Sequence, residues 1–231
     1  MSSRPIVEAA ARNNAEWCDA FCRAHGVVGR FDATFWASSV RTPPLYPDAV
    51  TLAAEVDTEL LLARVDTSEG CGVKDSFASL PLDTAGFRPL FQAEWIAREP
   101  APETPSWAPS WSAVTTDDGL GEWESSWGDA PHGSGFFSPA LLQDESIAVL
   151  ARYDGDRITA GAVANRSAGV IGLSNVFDAT GDLESAWRAG TTAATLLWPS
   201  LPVVGYDSGE SLEAARRAGF APVGELVVWV S

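Results

Sequence analysis

SNVFDATGDLESAW, residues 174–187, leaves an apolar run, crosses a short polar turn and enters a segment with helical spacing. Upstream, VIGLSNVF (170–177) has the composition of a strand. Downstream, Leu183, Trp187, Gly190, Ala194 and Leu197 fall on one helix face, which Pro199 closes. A strand that feeds a helix through a tight turn is suited to hold an anion, because unpaired N–H groups and the helix dipole converge there. This turn carries Asp178, Asp182 and Glu184 and neither Lys nor Arg.

The elements on either side extend the pattern. WSAVTT (111–116) reads as a strand and LGEWESSWG (120–128) as a helix. SPALL (138–142) reads as a short helix opened by Ser138 and Pro139. SIAVLARYDGDRITAGAVANRS (146–167) is two strands joined at Asp154-Gly155, a hairpin turn pair. After the central helix come a strand in PVVGYDS (202–208), a helix in SLEAARRAG (211–219) and a last strand in PVGELVVWV (222–230).

Toward the N-terminus, Val7, Ala11, Asn14, Cys18 and Phe21 mark one amphipathic helix that stops at Gly26. A strand in DAVTLAAEV (48–56), a short helix in TELLLARVD (58–66) and strands in GVKDSFASL (72–80) and FRPLFQAEWIA (87–97) follow. The proline-rich stretch REPAPETPSWAPS (98–110) reads as an extended connector between an N-terminal half, 1–97, and a C-terminal half, 111–231. No motif shows an internal repeat, and the alternative that the N-terminal half is a second, more decayed copy of the C-terminal fold stays open. The fold class expected is α/β, a mixed sheet flanked by helices, with a smaller α/β N-terminal half.

Composition narrows the function. With 15 Lys and Arg against 31 Asp and Glu, the net charge of −16 repels nucleic acid and anionic membrane and favours cationic partners. The opening MSSRPIVEAAARN lacks a secretory apolar core, and three cysteines do not make a disulfide framework, so a cytoplasmic protein is expected. The spacing of Cys18, Cys22 and His25 is not a usual zinc pattern, and no metal is assigned. There is no G-x-S-x-G elbow and no phosphate-binding G-x-x-x-x-G-K-[ST]. The two histidines, His25 and His132, offer no nucleophile–base device, since His132 lies in a glycine-rich loop. Most of the ten tryptophans, Trp187 and Trp229 among them, fall at core-like spacing, while Trp107 and Trp111 are expected to pin the connector.

The element order of the C-terminal half, β-α-α-β-β-β-α-β-α-β, resembles the GNAT superfamily of acyl-CoA-dependent N-acetyltransferases. RYDGDRITAGAVAN (152–165) looks like that family's glycine-ended hairpin, SNVFDATGDLESAW occupies the place of its cofactor turn, and SLEAARRAGFAPVGELVVWV (211–230) is similar to its closing helix, GF pair and last strand. The resemblance covers roughly residues 111–231. It implies acetyl-CoA between VIGLSNVF and PVVGYDS, contacting Ser174, Asn175 and Val176, with the pyrophosphate on amides near Gly181, Asp182 and Leu183. Ser174 and Asn175 would bond an amide substrate or the pantetheine arm, or else bridge a bulge. The acceptor implied is an amine, drawn in as a cation.

Two departures stand against this. The family writes the turn as Q/R-x-x-G-x-G/A, whereas this chain has Gly181 at the basic position, Asp182 and Glu184 at or beside the glycines, and only Ala186 in keeping. A carboxylate about 5–6 Å from a phosphate charge costs on the order of 3 kcal/mol at an effective dielectric near 20, while the helix dipole returns about 0.3–1. The tyrosine that often precedes the GF glycine by four residues is Ala215 here. Tyr206 as acid and Asp207 as base are the nearest substitutes, although adjacent strand residues point to opposite faces and at most one can enter the gap. Two readings follow: an N-acetyltransferase using acetyl-CoA, or a non-catalytic ligand-binding or protein-interaction module that keeps the fold without CoA.

Overall fold

The computed structural model describes residues 3–100, 111–128 and 135–231, so most of the connector, Trp107 and His132 lie outside the described residues. The chain forms two compact units, one of Met1–Trp95 with Val223–Ser231 and the other of Ile96–Pro222. Among the described residues no helix is long and apolar enough to cross a membrane.

The first unit opens with α1 (Ser3–Ala24), whose Ala11, Cys18 and Phe21 are buried. Strands β1 (Arg30–Phe31), β2 (Phe35–Ala37) and β3 (Ala49–Thr51) form an antiparallel meander. Helix α2 (Thr58–Leu62), capped by Asp57, then crosses to β4 (Gly72–Asp75), which pairs parallel with β3. Asp48 holds the start of the crossover: it is buried, binds Arg41, and accepts N–H bonds from Thr42 and Gly72. The sequence pattern predicts β3, β4 and the long strand that follows them, but not β1 and β2, which lie in no apolar run of strand length. Strand β5 (Arg88–Arg98) leaves the unit at Ile96.

The second unit contains β6 (Trp111–Ala113), α3 (Asp117–Trp127), a 3₁₀ turn at Pro139–Gln143, β7 (Ile147–Asp154), β8 (Arg157–Ser167) and β9 (Val170–Asp178). It continues with α4 (Leu183–Leu197), β10 (Val203–Asp207), α5 (Gly209–Arg217) and the start of β11 (Ala221–Val230). Strands β6 to β9 are antiparallel neighbours, and β10 joins β9 in parallel. All the elements expected in this half are present in the expected order. Trp187, Leu173, Val203, Leu212 and Phe220 pack in one core that closes α4 and α5 onto the sheet.

The two units share a connectivity that the sequence hides. In each, a helix leads into a three-stranded antiparallel meander, then a helical crossover, then a parallel strand: α1-β1-β2-β3-α2-β4 and α3-β7-β8-β9-α4-β10. This connectivity agrees with the N-terminal half being a decayed second copy of the same fold, and no motif shows it because α2 has 5 residues where α4 has 15, so no sequence period survives. The last strand crosses over: from Val223 onward β11 belongs to the first unit, where Val227–Val230 pair antiparallel with Asp75–Gly72.

At the junction of β9, α4 and β10 the packing requires a bare backbone. A Cβ added at Gly205 would lie 2.8 Å from the Leu173 carbonyl and 3.4 Å from the Trp187 ring. Gly205→Ala is expected to destabilise the fold by about 1–3 kcal/mol, as overpacking does, read as a lower urea midpoint at unchanged slope.

Candidate functional site

The site lies where β9 and β10 separate. Ile171 pairs with Val203 and Gly172 with Val204, and among the described residues the parallel ladder extends no further. The carboxyl ends of parallel strands are where open α/β sheets take ligands. On the other side, β8 and β9 pair Val163 with Ser174 and Gly161 with Phe177, so Asn175 and Val176 together lie opposite Ala162 alone. This is a β-bulge, and Asn175 takes φ 51°, a conformation Asn accepts more readily than most side chains. Ser174 Oγ is buried with no hydrogen-bond partner among the described residues.

Asp178, the last residue of β9, does within the chain what a bound anion would do. Its Oδ1 accepts from the Thr180 N–H at 2.8 Å, the Thr180 hydroxyl at 2.5 Å and the Asp182 N–H at 3.4 Å. Its Oδ2 takes Arg152 Nη2 at 2.8 Å, and its side chain is 0% exposed. Arg152 stands on β7, two strands away: it pairs with Ala160 on β8, and Ala160 pairs with Asp178. Members of such a row share a sheet face, and the small Ala160 leaves the path between the charges open. Burial pushes the Asp178 carboxyl up, but the Thr180 hydroxyl and N–H, Arg152 and the Asp182 N–H outweigh it and hold it below 3.8.

The other carboxylates of the turn are also engaged. Asp182 caps α4 by accepting from the Ser185 N–H at 3.1 Å. Gly181, at φ 84°, where a side chain would be strained, donates its N–H to the Asp178 carbonyl at 3.1 Å. Glu184 turns aside to Arg188 Nη2 at 2.9 Å and to Arg217 Nε on α5 at 3.0 Å, contacts that hold its carboxyl below 4.5. The N–H groups of Thr180, Gly181, Asp182 and Ser185 thus all have acceptors inside the chain.

Across the gap, Asp207 ends β10. Its Oδ2 accepts from the Ser211 hydroxyl at 2.6 Å, Ser211 Oγ in turn accepts from Trp187 Nε1 at 3.2 Å, and Asp207 Oδ1 accepts from the Ser208 N–H at 2.8 Å. Burial pushes the Asp207 carboxyl above 3.8, with the Ser211 and Ser208 bonds pulling the other way. Tyr206, half-buried, alternates with Asp207 along the strand, so the two share no face.

Comparison with known proteins sets this geometry in context. No family's sequence model matches the chain, and no curated protein matches it. Solved structures do. A GCN5-related N-acetyltransferase from Kribbella flavida has a TM-score of 0.66 at 15% identity, with 96% of this chain and 95% of that one covered. The chain has the fold of the GCN5-related N-acetyltransferases. A GCN5-related N-acetyltransferase-like protein from Streptococcus suis aligns over 97% of this chain and 98% of its own, with a TM-score of 0.54 at 12% identity. A conserved protein of unknown function from Staphylococcus epidermidis has a TM-score of 0.53 at 11% identity, over 85% of this chain and 83% of its own.

Within this GNAT fold the residues singled out from sequence gather in two places. Ser174, Asn175 and Val176 form the bulge on β9, and Gly181, Asp182 and Leu183 form the start of α4; Tyr206 and Asp207 stand at the end of the neighbouring parallel strand. Ala215, at the family's tyrosine position, is fully buried in the core. Trp123 packs edge-on to Phe137 and Phe177 and donates Nε1 to the Leu150 carbonyl at 2.9 Å, so this aromatic cluster is packing rather than a cage. Sequence reasoning missed the Arg152–Asp178 pair and the Trp187–Ser211–Asp207 chain. It also missed buried Glu124, whose carboxylate accepts the N–H groups of Gly135, Phe136 and Phe137. The D-x-T spacing of Asp178 and Thr180 was the one local signal available, since Asp commonly bonds backbone two residues on.

Asp178→Ala is expected to cost about 2 kcal/mol at pH 7, as losing a buried, paired carboxylate does when its partner is partly solvated. Because the folded carboxyl titrates below 3.8, that stability is present above this value and lost as pH falls through the folded pKa. Urea denaturation of the two proteins should therefore converge in acid.

Proposed function

We propose that the second unit is a GNAT-fold ligand-binding or protein-interaction module that does not take acyl-CoA at the β9–α4 turn. The observation that carries this reading is the set of internal acceptors. Asp178 and Asp182 occupy the Thr180, Asp182 and Ser185 N–H groups of the turn that a pyrophosphate would approach, and place two carboxylates there. A diphosphate would have to displace buried charge-assisted bonds and then sit against the displaced carboxylates. Trp187, packed against Gly205 and bonded to Ser211 of α5, further narrows the space between the two strands. The strong negative charge supports a cationic partner.

A second reading keeps the chemistry, and the β9 bulge favours it. In an N-acetyltransferase using acetyl-CoA, backbone N–H groups near Val176 would hold the thioester carbonyl oxygen while a neutral amine attacks, with Asp207 or Tyr206 handling the proton. The occupied cradle and the engagement of both Asp207 oxygens weigh against it.

Isothermal titration with acetyl-CoA separates the two. No heat is expected with the native chain up to millimolar cofactor, and micromolar binding would overturn the first reading. Asp182→Gly with Glu184→Arg removes two negative charges from the helix start and adds one positive charge, and is expected to create measurable affinity for CoA, tighter by at least about tenfold.

A further inference from the structure

Three arginines converge in the second unit with one carboxylate among them. Arg188 on α4 gives Nη2 to Glu184 at 2.9 Å and to the Arg217 carbonyl at 3.2 Å. Arg217, the last residue of α5, gives Nε to the other Glu184 oxygen at 3.0 Å. Arg98, at the end of β5, gives Nη1 to the Ala218 carbonyl at 3.1 Å, and among the described residues this is its only hydrogen bond. A guanidinium has five N–H donors in a planar fork, so most donors of the group have no protein acceptor. Arg188 and Arg217 remain 43% and 59% exposed along their side chains.

Part of the arrangement is explained by the helix end. Arg188 and Arg98 donate to the last carbonyls of α5, where cations oppose the dipole. One cation would serve that purpose, and the second adds cost: burial and the nearby charge of Arg188 both hold the Arg98 guanidinium below its usual range. Among the described residues, a surplus of two positive charges in a chain of net −16 therefore stands without a carboxylate hydrogen-bonded to it.

We propose that Arg98, Arg188 and Arg217 form a binding site for a tetrahedral oxyanion, either inorganic phosphate or a phosphate monoester, with Glu184 occupying part of the site when it is empty. Planar guanidinium forks match phosphate oxygens in pairs, which a single ammonium does not. This goes beyond the readings above: the ligand here is an anion held at the end of α5, separate from the cationic partner that the net charge favours. It does not depend on the fate of CoA, because the probes contain neither pantetheine nor nucleotide.

The test is titration of the full chain with sodium phosphate and, separately, phenyl phosphate, against sodium chloride at equal ionic strength. The side-chain Nε–Hε resonances of the three arginines are followed by NMR. Saturable shifts specific to phosphate are expected; equal affinity for both probes assigns free phosphate, and tighter phenyl phosphate binding assigns a monoester. Glu184→Gln removes the competing charge and is expected to tighten binding about tenfold. Arg98→Gln with Arg217→Gln should abolish the shift of Arg188, with thermal melting confirming that the variant is folded. Identical shifts in phosphate and chloride, or unchanged affinity in Glu184→Gln, would overturn the proposal.

Discussion

The second unit is organised around one carboxylate. Asp178 ends β9, reaches across β8 to Arg152 on β7, and takes the N–H groups that begin the turn into α4. A buried carboxylate is tolerated only when its charge is met on every side, and here the strand register, the small Ala160 and the turn conformation are all needed to meet it. Together these features fix where β9 stops, and with it where α4 starts and how far β10 runs beside its partner.

This constraint also separates fold from activity. The strand–turn–helix unit that marks a GNAT fold is the same unit that an acyl-CoA enzyme uses for its pyrophosphate. Here Asp178 and Asp182 stabilise the turn from within. Shared architecture with a solved GCN5-related N-acetyltransferase and an N-acetyltransferase-like protein at 12–15% identity speaks for the fold alone.

Much of this was legible in the sequence. Long periodic elements such as α1, β8 and α4 announce themselves through apolar spacing, and the Asp154-Gly155 turn fixes the hairpin. The bulge was open as one of two readings of Ser174 and Asn175, because a polar pair inside an apolar run marks something irregular without saying what. The partners of the carboxylates were not legible. Arg152 is 26 residues from Asp178, Arg217 is 33 from Glu184, and only the sheet register and the α4–α5 packing bring them together. The repeated topology was hidden for a related reason, since the first copy reaches it with strands of two or three residues.

The placement of β11 in the first unit has a consequence for how the chain acquires its structure. Residues Val223–Ser231 follow the whole second unit in the chain, yet they belong to the unit made mostly from the first 95 residues. The first unit therefore cannot complete its sheet during synthesis and must wait, with β4 lacking its partner Val227–Val230, until the second unit has been made. Contacts closed over some 150 residues are slow to form. A cut in the connector would likewise leave the N-terminal fragment without the strand that pairs with β4.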